Sequence, residues 1–343
     1  MDDRSYLYEI RPKDPNEKMD ENDILAVAMA AAEDDGSGYK VEKIHSFGQV
    51  NGRPLGGIIT QANELIFCNV PNGVFMFDLG TKKLTFLTNS IHDENGVAFS
   101  NIGFCDDLTV TEDGSTIYIS QPADYPLQGR VDIKYLTLLS GLEGRPSGRI
   151  LKHDVRSNRT SVLVSDMFFP NGIALSKDQS FLVVSETYSS KLWKIQLNTK
   201  LNDEHQSEEG TCGLDSSDRS ECRSSSNPPM EVIALLPGFP DGVTLAPDGG
   251  FWVSVFAPQP DMWPLLASFP NVRKHLSKLP TSWIPWASPH GFVVKVDSNL
   301  KVSYSLQDPK CKSVCFISKV VEQDNKLFFG TFGQEYISVM NHS

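Results

Sequence analysis

One phrase recurs along this chain, and a repeated phrase constrains a fold more than any bulk property does. It has a polar or turn residue, a short alternating run, a second polar turn, then a run of β-branched and aromatic residues. It reads GGIITQANELIFCNV from Gly56, DDLTVTEDGSTIYIS from Asp106, NGIALSKDQSFLVVS from Asn171, DGVTLAPDGGFWVSV from Asp241 and ISKVVEQDNKLFFGT from Ile317. A degenerate copy, EKMDENDILAVA, starts at Glu17. Period-two alternation between Asp, Asn and Gly turn signals spells a β-hairpin. Further strand-like runs follow most copies, such as VFMFDLGTKKLTFLT and GFVVKVDSNLKVSYSL, giving about four strands per unit. Four-stranded units repeated around an axis make a β-propeller, which leaves only short edges exposed. The expectation is an all-β, six-bladed β-propeller, residues 1–343 forming one domain, with a β-sandwich pair as the alternative.

The copies spread apart along the chain, so the later units carry insertions. Residues 124–144 read as a short amphipathic segment. Residues 198–229 are acidic and Ser-rich with few large apolar residues, the composition of a flexible loop. Residues 256–290 concentrate Trp263, Trp283, Trp286 and several prolines, which reads as a helical or irregular cover. That cover either shapes a pocket for an apolar substrate or forms a patch for peripheral membrane or protein contact.

Composition then excludes some classes. A formal charge of −12 is a poor match to nucleic acid. The apolar stretch Ile24 to Ala32 is far shorter than the roughly 20 residues a membrane span needs, and no basic segment precedes it, so neither a signal peptide nor an anchor is visible in this chain. The six cysteines have no zinc-like spacing. Cys68 and Cys105 fall in apolar runs and read as buried thiols, while Cys212 and Cys222 share a polar loop and can pair in an oxidising compartment.

In a propeller the first strand of every blade lies beside the axis, so residues at one repeat phase converge from distant positions. Here they are Glu17, Gly56, Asp106, Asn171, Asp241 and Ile317. Glu17, Asp106, Asn171 and Asp241 supply oxygen donors, the kind a hard cation such as Ca²⁺ prefers. Any one of them alone is more simply a turn former; their common phase makes them candidate metal ligands. A cation there can polarise an ester or lactone carbonyl and activate water, or merely staple the blades. Asp107 is a candidate general base or supporting residue, Asp241 has a catalytic as well as a ligating role, and His290, at a strand start after the cover, is a candidate pocket residue. Glu186 reads as a satisfied buried carboxylate or a channel residue. No GxSxG elbow occurs.

The phrases FPNGIALSKDQSFLVVSETYSSKLWKI, LPGFPDGVTLAPDGGFWVSV, FCDDLTVTEDGSTIYIS and NGRPLGGI together resemble strictosidine-synthase-like proteins, in the adipocyte plasma membrane-associated branch. The resemblance implies a six-bladed propeller, related to paraoxonases and regucalcin-type gluconolactonases. In those metal-dependent relatives a first-blade glutamate, asparagines at ND and PNG turns and an aspartate at a PD turn hold calcium or a similar ion. The PNG match is Asn171, the PD match is Asp241, the ND match is Asp106, and the glutamate maps loosely to Glu17. The implied activity is calcium-dependent arylesterase or lactonase action on a small molecule, with a secretory or membrane-associated location. The synthases of the family condense an amine with an aldehyde using a glutamate, and Ser318 stands at that position here, with Glu322 nearby. A metabolite synthase or cyclase with altered acid/base groups, and a non-catalytic binding propeller with a structural metal, are the alternatives.

Overall fold

The computed structural model describes residues 6–12, 39–46, 52–125, 127, 132–197, 227–263, 266, 268–279, 287–332 and 337–342. It is an all-β propeller. The strands β1 (Tyr6–Pro12) and β2 (Tyr39–Ser46) pair with each other. Blade I is β3 (Arg53–Ile59), β4 (Glu64–Val70), β5 (Gly73–Asp78) and β6 (Leu84–Thr88). A ribbon of β7 (Ser90–His92) and β8 (Ala98–Asn101) leads into blade II. That blade is β9 (Leu108–Val110), β10 (Thr116–Gln121), β11 (Gly148–Asp154) and β12 (Arg159–Met167). Helix α1 (Ile133–Glu143) lies between β10 and β11. Blade III is β13 (Pro170–Leu175), β14 (Phe181–Glu186), β15 (Lys191–Gln196) and β16 (Met230–Leu235). Blade IV begins with β17 (Gly238–Leu245) and β18 (Phe251–Pro258), and after the short helix α2 (Pro270–Leu276) resumes with β19 (Gly291–Val296) and β20 (Val302–Asp308). Blade V has three strands, β21 (Ile317–Gln323), β22 (Lys326–Thr331) and β23 (Ser338–Asn341).

The blade count is therefore five among the described residues, a correction to the expected six. The sixth was inferred from the degenerate copy at Glu17, which lacks a full second alternating run. Glu17 lies outside the described residues, and the strands on either side of it, β1 and β2, form a two-stranded sheet of their own.

Each repeat phrase forms the first hairpin of a blade, and its second turn closes through a left-handed residue: Asn63, Gly114, Gln179, Gly249 and Asn325. Asp113, Asp178 and Asp248 accept the amide two residues on, an Asx turn that explains their recurrence at one phase. Asp241-Gly242, the other turn signal of its phrase, lies inside strand β17 rather than at a hairpin tip.

The core sits between blades. Ile66, Cys68, Ile117 and Leu151 fill the space between blades I and II, and Ile150, Leu175, Leu182 and Val184 that between II and III. Val183, Val243, Val253 and Phe292 fill III and IV, and Trp252, Val293, Val320 and Leu327 fill IV and V. Middle strands are covered on both faces, so they read as continuous apolar runs such as LIFCNV and FWVSV. Both Cys68 and Cys105 are buried free thiols. Cys311 and Cys315, four residues apart, form a disulfide between β20 and β21 that the sequence reading did not pick out. Cys212 and Cys222 lie outside the described residues.

The three insertions are each partly described. In 124–144, Asp132 caps α1 by accepting the Tyr135 amide at 3.1 Å, and Gly144 ends it at φ 58°. Within 198–229 only the last three residues are described. In the cover, Trp263 is described and Trp283 and Trp286 are not.

Candidate functional site

The first strands β3, β9, β13, β17 and β21 touch one another in that order, so the residues at one repeat phase meet. Four of these strands break register with their partner at that point: between Pro54 and Gly57, Pro170 and Ile173, Pro240 and Val243, and Ile317 and Lys319. A bulge leaves a residue out of the ladder and re-aims its side chain. Gly56, Asn171, Asp241 and Ser318 fall at these breaks and are half-buried along the inner surface, as is Asp106, which precedes β9 without such a break, while Ile317, the expected phase residue of the last copy, is turned into the core.

The strands approach so closely that glycine is required beside them. A Cβ on Gly172 would stand 2.2 Å from the Val243 amide, and one on Gly242 would stand 2.3 Å from the Ser318 carbonyl oxygen. A Cβ on Gly56 would lie 2.2 Å from Asp107 Oδ1.

Asp107 is buried, and its Oδ2 accepts from Lys319 Nζ at 2.5 Å and from the Ile173 amide at 3.3 Å. Its Oδ1 is buried without a hydrogen-bond partner. Burial and the Asp107 charge push the Asp106 carboxyl up to about 7, with the Lys319 charge opposing. Burial, followed by the Asp106 and Asp107 charges, pushes Asp241 well above the usual carboxylate range, against Lys319 and a hydrogen bond from Asn171. The other Asn171 contact is donation from Nδ2 to Thr187 Oγ1 at 3.4 Å.

The structure therefore brings Asp106, Asp107, Asn171 and Asp241 together, and adds Lys319, which the sequence reading missed. Lys319 stands two residues after Ile317, the phase position of its copy, and nothing in that spacing marks it out. His290 is not brought in. Its Nε2 meets Gln307 Oε1 at 3.2 Å on the outermost strand of blade IV, because β19 is a third strand rather than a first. Glu186 is a satisfied buried carboxylate, accepting from the Phe168 amide at 2.7 Å and Trp193 Nε1 at 2.9 Å. Glu322 accepts from Trp252 Nε1 at 2.6 Å and from Lys295 at 3.5 Å, so it is committed to blade packing. Ser318 is half-buried on the inner surface, and its Oγ donates to the Gly330 carbonyl oxygen at 3.3 Å.

An aromatic layer adjoins the cluster. Phe104, Phe169 and Phe239 each stand two residues before Asp106, Asn171 and Asp241, about 7 Å along a strand. Phe104 packs edge-on to Phe169 at 5.8 Å, and Phe169 to Tyr188 at 5.1 Å. Trp263 from the cover stacks on Tyr188 at 5.4 Å and meets Phe239 at 5.2 Å. The phrase F-x-[DN] carried this layer in the sequence. Elsewhere, a cleft of about 540 Å³ at the rim of blades IV and V is lined by Asp248, Lys295, Asp297, Ser303, Tyr304 and His342. Its buried Lys295 is held by Asp248 at 3.0 Å and lies over the Trp252 ring, a packing arrangement away from the axis.

The donor chemistry of the axial cluster can be tested against the expected cation. Oxygen donors are present, but among the described residues no three His, Cys, Asp or Glu side chains are grouped as an ion would need. The positive charge beside Asp107 is the Lys319 ammonium. The described residues do not fit a carboxylate cage for a divalent ion.

A propeller whose first strands bulge to present a polar cluster on the inner surface is the class defined by this fold and site. The gluconolactonase of Xanthomonas campestris is similar in fold, with a TM-score of 0.53 and 14% identity, covering 89% of this chain and 75% of that one. The strictosidine synthase family model matches residues 106–200, which include Asp106, Asp107 and Asn171. The protein STRICTOSIDINE SYNTHASE-LIKE 3 of Arabidopsis thaliana is 31% identical over 300 residues, covering 84% of this chain and 66% of that protein. Human adipocyte plasma membrane-associated protein is 26% identical over 294 residues, covering 84% and 63%. The chain belongs to the strictosidine-synthase-like family, and it spans about two thirds of the length of these curated relatives.

Proposed function

We propose that this chain is a hydrolase of carboxylic esters or lactones, working at the axial cluster. The observation that carries the reading is the gathering, on the first strands β9, β17 and β21, of two half-buried carboxyls, Asp106 and Asp241, near one ammonium, Lys319, which Asp107 holds at 2.5 Å. Ester hydrolysis needs a proton acceptor for water, a proton donor for the leaving oxygen and positive charge where the carbonyl oxygen turns anionic. Asp106, half ionised near neutral pH, takes a proton from water as the water oxygen bonds to the acyl carbon. Asp241, held protonated, gives its proton to the alkoxy oxygen as the acyl C–O bond breaks. The two carboxyls then exchange the proton and regain their starting states. Asn171 fixes Asp241, and Lys319 opposes the charge building on the carbonyl oxygen. The aromatic layer favours an apolar acyl or aryl group beside the reacting bond.

The expectation of calcium is replaced in this reading by chemistry from the chain's own side chains. The test is hydrolysis of phenyl acetate and a lactone panel. Asp241→Asn and Asp106→Asn are each expected to lower turnover by about 10²-fold or more while the fold survives; full activity in both variants would remove the mechanism.

The cover adds a partner. Met262, Phe269, Val272 and Leu279 are exposed beside Lys274 and Lys278, an apolar and basic surface of the kind that rests on anionic lipid. No helix among the described residues is long and apolar enough to cross a membrane. Peripheral membrane contact through this segment is the reading it supports, in keeping with the name of the human relative, adipocyte plasma membrane-associated protein.

A further inference from the structure

We infer that Lys319 is the resident cation of the axial cluster, so that the site is complete without a metal ion. The inference rests on the axial cluster being the working site, as proposed above, and concerns what balances its charge. Asp106 and Asp107 directly precede β9 and Asp241 lies in β17, first strands that both touch β13. Gathering like charges in a low-dielectric channel is unfavourable unless a positive group joins them. A bound divalent ion would serve, and so would a side chain that reaches the same place.

Lys319 is built to reach it. It belongs to blade V, while its ammonium meets Asp107 of blade II, 212 residues away in sequence, at 2.5 Å. The stem passes over Gly242, where a Cβ would stand 2.9 Å from Lys319 Cδ, so the glycine of the PDG phrase opens the slot that the lysine chain occupies. The bulge between Ile317 and Lys319 leaves Ser318 out of the ladder, and Lys319 rejoins it opposite Gly330. Asp107 is the member best placed to anchor it. Its side chain is 5% exposed, one oxygen is closed off against Gly56, and the other receives both Nζ and the Ile173 amide.

The position of the charge matters for chemistry. A divalent ion attracts several oxygens at once and presents open coordination to a substrate. An ammonium gives three donors and no further valence, so a substrate oxygen is met by a hydrogen bond and a single positive charge. Carbonyl polarisation is then weaker than with a metal, which suits esters and lactones with good leaving groups.

The test uses the whole chain and reads melting temperature and bound metal as well as turnover. After exhaustive chelation, the wild-type protein is expected to carry no stoichiometric metal. Its melting temperature and turnover should be unchanged by chelator or by added calcium. Lys319→Met is expected to melt lower by roughly 5 °C, because a buried carboxylate is left unpaired. Asp107→Asn combined with Lys319→Met should recover much of that loss, since both members of the pair are then neutral, and this variant keeps the test readable should the single one fail to fold. A wild-type melting temperature that falls on chelation and returns with calcium would overturn the inference, as would Lys319→Met melting like the wild type. Metal-independent melting with no turnover on any ester or lactone would leave Lys319 as the resident cation and reject the hydrolase reading instead.

Discussion

At the scale of single residues, the axial carboxyls show how burial sets chemistry. Asp106 is raised to about 7, chiefly by desolvation and then by its neighbour Asp107. A carboxyl whose folded pKa exceeds its unfolded one contributes stability below the unfolded value, near 4, and that contribution is lost as pH rises through the folded value. Ionising Asp106 should therefore weaken the fold between about pH 4 and pH 7. Asp106→Asn is expected to remove this slope and to melt higher than the wild type at pH 8, by roughly 3 °C, with little gain at pH 4. Melting curves at the two pH values check it. The residue identities of the cluster were legible because Asp106, Asn171 and Asp241 share a repeat phase. Lys319 was not, since an unpaired lysine in a strand pattern ordinarily reads as solvated.

At the scale of elements, the bulges decide which residues face inward. Hairpin turns were legible in advance, as Asp113-Gly114 and Asp248-Gly249 form the turns their chemistry requires. Asp241-Gly242 carries the same dipeptide signal and is a strand bulge instead, because the neighbouring strand β21 approaches its backbone. Gly242→Ala should accordingly disturb packing rather than turn formation. Its Cβ would meet the Ser318 carbonyl oxygen at 2.3 Å and the Lys319 stem at 2.9 Å. The expected loss is about 1–3 kcal/mol, read as a lower denaturant midpoint, together with reduced turnover as Lys319 is displaced. The equivalent change at the hairpin tip, Gly249→Ala, meets no atom closer than 3.9 Å and is strained only through its φ of 84°.

At the scale of the molecule, the insertions are what give one end of the propeller its character. Helix α1 packs against α2, Arg273 of α2 reaches the Gly144 cap of α1, and Trp263 closes on the aromatic layer beside the cluster. The outer side of this cover holds Phe269 and Val272 next to Lys274. Phe269→Ser with Lys274→Glu is expected to reduce cosedimentation with vesicles containing phosphatidylserine several-fold, and to leave turnover on soluble esters unchanged. Equal binding of wild type and variant would assign the surface to another role.

The sequence by itself determined that this chain is a propeller of four-stranded units, where the first hairpin of each blade lies, and which carboxyls share a phase, because alternation and turn chemistry are local and survive in one dimension. The number of blades was put at six against five among the described residues, since a charged segment at Glu17 imitated a repeat without a full second alternating run. Only the tertiary structure decided that His290 meets the outermost strand of blade IV, that Asp107 is the buried anchor, and that Lys319 is its partner across 212 residues. Those facts depend on bulges and on close approach between blades, which are set by the packing of one sheet on the next and leave no period in the sequence.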